Sequence, residues 1–156
     1  MGVVSSGIPL HDLLGFEFEA PEVGSPVAEV HMPVRPEAFG FTQNLHGGAI
    51  ATLVDLACAL AAARCSGHDP HKESLVTADM HVRYLGRPYT DTVTARAEVV
   101  RIGSQLIVVE CKVRDGEDRV IAAADFSMMR VSLRRPLTAV AGREDESGGT
   151  PAGPEL

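Results

Sequence analysis

From Ala49 to Cys65 the chain is apolar at every position but three, Thr52, Asp55 and Arg64. Ala and Leu dominate the stretch, and both favour helix. The pattern predicts a helix from Gly47 to about Cys65, stopped by Ser66-Gly67. A helix apolar on nearly every side belongs inside a fold. Downstream the reading changes to strands: Ser74–Tyr84, Thr90–Arg101, Gln105–Arg114 and Arg119–Val131. Their linkers, GRPY, IGS and DGED, are short and turn-rich, which predicts a meander of successive antiparallel neighbours. Upstream, Val27–Val34 alternates as a strand should, residues 8–15 form a short helical or turn segment ended by Gly15, and RPEAFGFTQN is a loop.

An antiparallel sheet needs its apolar face covered, and one wholly apolar helix can do it. The fold expected is therefore α+β, with the sheet wrapped around a central helix. At 156 residues the chain makes one domain, placed at 1–135. Residues 136–156 hold four Gly, three Pro and four acidic residues, a composition expected to be disordered.

Charge narrows the chemistry. A formal −7 without a basic stripe argues against a nucleic-acid binder. The first residues, MGVVSSGIPL, lack the basic-then-apolar pattern of a signal peptide, and the longest uninterrupted apolar run, Leu56–Ala63, is far short of a span. The expectation is a cytoplasmic protein with no membrane partner. Cys58, Cys65 and Cys111 have no paired or metal-type spacing and read as packed thiols. His68, Asp69 and His71 lie in a polar loop with no further ligands at recognisable spacing, so neither a metal nor a cofactor is expected.

Two features remain unexplained by packing. A carboxylate at Asp55, inside an apolar helix, must shift its pKa, find a partner or face a cavity. A structural acid bonded to a neighbouring backbone or to Arg64 is one solution. The second feature is His46-Gly47-Gly48, directly ahead of the helix. Unpaired N–H groups at a helix start face outward with the positive end of the macrodipole, and glycine permits close approach of a ligand. That combination suits a carbonyl oxygen becoming an oxyanion.

NLHGGAIATLVDLACALAA resembles the HGG segment and central helix of the hotdog-fold thioesterases of the phenylacetic-acid-degradation (PaaI) type. VTADMHVRYLGRP and VRIGSQLIVVECKVRDGEDRVIAAADFSMM are similar to the strands that follow in that family. The resemblance implies an acyl-CoA thioesterase acting at a dimer-interface site, in a homodimer that assembles further into a tetramer. It implies Asp55 as nucleophile or general base, Gly47 as the polarising amide, and His46 as a group holding the loop or the thioester. Thr77 falls where related enzymes orient the attacking water, and Gln43, Asn44 and Gly48 fall beside the substrate. Arg87 and Arg130 are the cations chosen for the CoA phosphates.

Asp55 lies eight residues beyond Gly47, about 12 Å along a helix, so one thioester carbon cannot touch both within one chain. Two antiparallel helices across a two-fold axis would bring Asp55 of one chain to Gly47 of the other. One departure from the family pattern stands out. Many members carry Asn or Gln six residues ahead of the HGG histidine, where this chain has Gly40. A non-catalytic acyl-CoA-binding hotdog is the alternative that this departure suggests. A hydratase fits less well, because its Asp ahead of Asn-Pro-x-His is absent here.

Overall fold

The computed structural model describes residues 2–20 and 22–133. The expected disordered tail, and the boundary at 135, lie outside the described residues. In chain order the elements are β1 (Val3–Val4), α1 (Pro9–Leu14), β2 (Glu17–Glu19), β3 (Val27–Pro33), α2 (Gly47–Cys65), β4 (Glu73–Tyr84), β5 (Thr92–Ile102), β6 (Leu106–Asp115) and β7 (Val120–Ser132). The expected helix and strands all form, each within one or two residues of the predicted ends. Gly15 ends α1 in the left-handed region, at φ 71°, a conformation glycine adopts without penalty.

The seven strands make one antiparallel sheet in the order β1-β2-β3-β5-β6-β7-β4. The meander expected across all four late strands holds only from β5 to β7. Between β4 and β5 the chain does not turn back: residues 85–91 cross over, β4 pairs with β7 and β5 pairs with β3. The cause is α2. It fills the concave side, and the sheet can bend around it only if the strand leaving the helix closes the far edge.

Alternation along the strands then fixes the core. Ala28, Val30 and Met32 on β3, Val93, Ala95 and Ala97 on β5, and Ile107, Val109, Cys111 and Val113 on β6 all point at the helix and are buried. α2 answers with Leu53, Val54, Ala57, Cys58, Ala61 and Ala62, each fully buried. Each large side chain so enclosed contributes about 1.5–3 kcal/mol. By length and hydropathy α2 would also pass for a membrane span, but here it serves as the core helix of the sheet.

The expectation that α2 is buried on every side needs correction. Ala51, Thr52, Asp55, Ala59, Leu60 and Ala63 are only half-buried. They lie along the seam between α2 and β4, the edge strand, whose residues Val76–Asp79 are exposed. Among the described residues no further strand flanks β4, and the seam is open there.

Candidate active site

The start of α2 is built from a short closed loop. Gly40 N–H donates to Asn44 O at 2.8 Å, Phe39 and Leu45 form an isolated bridge, and His46 N–H donates to Ala38 O at 2.8 Å. Gln43 turns the corner at φ 56° and is exposed, while the Asn44 amide donates to Thr42 Oγ1 at 3.3 Å. The loop delivers His46 to the N-cap, where its Nδ1 accepts from Gly48 N–H at 2.8 Å. A neutral imidazole accepting at Nδ1 carries its proton at Nε2.

The two glycines have different reasons. A Cβ on Gly48 would sit 2.9 Å from the His46 Nδ1, so any larger residue pushes the capping ring away. A Cβ on Gly47 would meet the Tyr84 ring at 3.4 Å, an ordinary contact. The Tyr84 hydroxyl donates to Gly47 O at 3.1 Å, fixing the plane of the peptide between the two glycines.

A helix leaves its first N–H groups without intrahelical acceptors. Ala49 and Ile50 N–H both donate to His46 O, and Gly48 N–H is taken by the imidazole. Gly47 N–H alone in this turn has no acceptor among the described residues. The dipole and a half-open surface make it a ready hydrogen-bond donor for an incoming carbonyl oxygen.

Two turns along the same helix, Asp55 faces the seam and meets Thr77. The Thr77 hydroxyl donates to Asp55 Oδ1 at 2.8 Å. The β4–β7 register slips between Thr77 and Asp79, a bulge at Ala78. Without that extra residue Thr77 and Met80 could not both face the helix, and bulges of this kind often re-aim a side chain beside an active site. Arg64, the alternative partner for Asp55, is turned elsewhere, donating to Val27 O and Glu19 O. Cys58, one turn further on, offers no competing ionisable group. Its hydrogen bond to Cys111, then burial, then the nearby Asp55 charge push its thiol far up.

The expected cations divide. Arg130 donates to Glu73 Oε1 at 2.6 Å and to Ser66 O at 2.5 Å, so the arginine chosen from the sequence for a phosphate is engaged inside the chain. Arg87 is exposed and stacks over Tyr89 at 5.1 Å, with Arg119 over the same ring at 4.5 Å. The Arg87 hydrogen bond and charge, with Arg119, lower the Tyr89 phenol below its ordinary pKa. Asp69, in the loop that also carries His68 and His71, accepts from His71 N–H and pairs with Lys72.

Three residues at or near the site escape a reading of motifs. Tyr84 and Tyr89 flank the GRP of the β4–β5 crossover, and two aromatics bracketing a turn were the available signal. Asp115, in the β6–β7 hairpin, is buried and accepts from Tyr89, Glu117 and Arg119 N–H. Burial by itself raises its carboxyl, but those three donors and the Arg119 charge outweigh it and hold the group below the usual carboxylate range. It anchors the Tyr89 loop.

Comparison with known proteins gives the family and the fold. The sequence model of the Thioesterase superfamily matches residues 42–122, just over half of the chain. A 1,4-dihydroxy-2-naphthoyl-CoA hydrolase of Listeria monocytogenes is 26% identical over 113 residues, covering 72% of this chain and 87% of that protein. A thioesterase family protein from Silicibacter pomeroyi superposes with a TM-score of 0.71 at 26% identity, over 81% of this chain and 91% of the other. The PaaI protein of E. coli, from the phenylacetic acid degradation operon, shares the fold with a TM-score of 0.69 at 22% identity, over 80% and 86%. A free amide at a glycine-rich helix start, a carboxylate in the seam of the same helix, and a sheet wrapped around both are thus set in a chain that belongs to the Thioesterase superfamily, with the hotdog fold of its PaaI-type members.

Proposed function

We propose that the protein hydrolyses an acyl-CoA thioester at a site completed by two copies of the chain. The observation that carries this reading is the pairing of one free donor with one anchored acid. Gly47 N–H has no acceptor among the described residues, and Asp55 has one oxygen held by Thr77. The two stand about 12 Å apart along their helix, too far for one reacting carbon. The exposed β4 edge, with Val76 and Tyr84 on it, supports a two-fold pairing that brings the Asp55 of a second copy beside Gly47.

In that arrangement the thioester oxygen accepts from Gly47 N–H, and the amide meets the negative charge as the carbonyl carbon turns tetrahedral. Asp55 of the other copy either takes a proton from water as the water attacks, or attacks the carbon itself to form an anhydride that water then opens. The C–S bond breaks and the CoA sulfur departs as a thiolate, a leaving group with a pKa near that of cysteine, about 8.5, needing no proton donor. Thr77 orients the carboxylate. His46 is a positioning residue, since its Nδ1 is occupied by Gly48 N–H. Arg87 follows Tyr84 by three residues, at most about 11 Å of chain from the Gly47 contact, and among the described residues it has no ion pair. It is a cation available to a CoA phosphate. Gln43 and Asn44 border the approach.

Thiol release from a panel of acyl-CoAs tests the proposal, and Asp55→Asn should lower kcat by at least about 10²-fold. Gly47→Pro is a sharper probe of the amide. Proline is favoured at the first helical position, and His46 already has the φ −63°, ψ 134° that a residue before proline prefers. The variant deletes the N–H and leaves the helix start in place.

A second reading has one observation in its favour. Gly40 stands where an amide side chain is expected, and its backbone serves only to close the loop. A non-catalytic acyl-CoA binder would bind a non-hydrolysable acyl-CoA analogue and release no thiol from any acyl-CoA.

A further inference from the structure

Phe41 sits at the tip of the loop that delivers His46 to the helix, and its side chain is exposed in full. A single exposed apolar residue is ordinary on a protein surface. Phe41 differs in how firmly it is held out. Gly40 N–H donates to Asn44 O at 2.8 Å and Gln43 N–H donates to Gly40 O at 3.2 Å, closing a turn around it. The Phe39–Leu45 bridge fastens the base, and Gly40 packs so near the capping imidazole that a Cβ there would lie 3.6 Å from the His46 ring. A preorganised aromatic of this kind is what anchors interfaces. At the other end of the helix the seam opens into a groove of about 340 Å³, walled by Ala59, Leu60 and Ala63 of α2, Leu75 of β4 and Met128 of β7. An apolar cavity of about 150 Å³ is enough for a benzene ring. The two ends of α2 thus carry a knob and a hole, and a two-fold axis turns such a face onto itself.

We infer that Phe41 of one copy seats in the groove between α2 and β4 of the other, and that this docking sets the distance between the Gly47 amide and the acid facing it. The inference rests on the two-copy reading above. Register supports it. With Asp55 of one copy beside Gly47 of the other, the axis crosses α2 at Ala51, midway between them. Ala59 then stands level with Gln43 of the other copy and Ala63 with Phe39, on either side of Phe41. Within one chain Thr77 meets Asp55 and Tyr84 meets Gly47, so β4 runs antiparallel to α2 and Leu75 lies at the groove end of the seam. Area agrees as well. Two such rings enclose about 300–500 Å² per dimer, a sizeable part of the roughly 1,600 Å² that a stable interface buries. Phe41 touches no reacting atom. It is a positioning residue, acting through the loop that ends in His46 and Gly47.

The chain has no tryptophan, so Phe41→Trp gives the full-length protein a single emitting indole at the loop tip. In the active dimer its emission is expected in the blue range of a buried indole, moving to the red as dilution separates the copies. Adding Ala63→Phe fills the groove from its own side and should also move the emission to the red. Phe41→Asp should raise the dimer dissociation constant at least about 10²-fold in sedimentation equilibrium, the loss of two enclosed rings. At concentrations where that variant is still dimeric, its kcat should be at least about tenfold lower with KM little moved. Phe41→Leu should restore both to within about tenfold of the parent. An indole as exposed as free tryptophan in a dimeric, active protein leaves the groove to substrate or solvent and overturns this inference, with the two-copy site intact. Emission indifferent to Ala63→Phe, or a Phe41→Asp chain that dimerises and turns over like the parent, overturns it in the same way. Full activity in single chains overturns the two-copy reading and this one with it.

Discussion

The two long sides of α2 obey different rules. Toward β3, β5 and β6, Leu53, Val54, Ala57 and Ala61 are fully enclosed by inward-facing Val, Ala and Ile. Toward β4, Thr52, Asp55, Ala59 and Leu60 are half-open, and the Thr77 hydroxyl meets Asp55 there. The enclosed side has no polar group to satisfy and carries stability. The open side gives up burial and holds a carboxylate that would be costly inside the core. The candidate site lies where the sheet, among the described residues, ends at β4.

Substitutions on each side should therefore fail in different ways. The largest effect on folding is expected at Leu53→Ala, which leaves a cavity on the enclosed side and should cost about 2–5 kcal/mol in denaturant titration. Asp55→Asn should do the reverse: at least about 10²-fold lower kcat with stability changed by less than about 0.5 kcal/mol. If Asp55→Asn unfolds the protein instead, the acid belongs to the scaffold and the comparison collapses. Thr77→Val keeps the strand but frees the carboxylate, so kcat should drop about tenfold with KM little moved, the loss of one orienting hydrogen bond.

Two smaller effects sharpen the same contrast. Gly48→Ala must displace the His46 ring that caps the helix, costing about 1 kcal/mol of stability, while Gly47→Ala meets only ordinary contact with Tyr84. Thermal melts of the pair should separate them in that order. Asp115 governs acid behaviour away from the seam. Its folded carboxyl lies below the usual range, so its contribution is present above the unfolded pKa of about 3.9 and is lost as pH falls through the lower folded value. Acid unfolding curves of Asp115→Asn should be flatter below about pH 4 than those of the parent chain.

The enclosed side was legible in the sequence, because periodicity reports burial directly: α2 and strands β3 to β7 all sit where alternation and helix propensity place them. The open side was legible only through chemistry, as Asp55 and HGG stand out from their surroundings. What could not be read were relations between distant segments. The linker between β4 and β5 has the look of a hairpin, yet β4 joins β7, because pairing is decided by how the sheet closes around the helix. Arg130 looks like a free strand-end cation and instead faces Glu73 on the neighbouring strand. Tyr84 reaches Gly47 across 37 positions, and no local pattern encodes that contact.

The central claim, a site shared between copies, is tested most directly by mixing two disabled chains. Asp55→Asn keeps the Gly47 amide, and Gly47→Pro keeps the acid. After co-refolding at equal amounts, half of random dimers are mixed and each holds one intact site of two, so activity should return to about a quarter of the parent value. A mixture no more active than its two components would contradict the account.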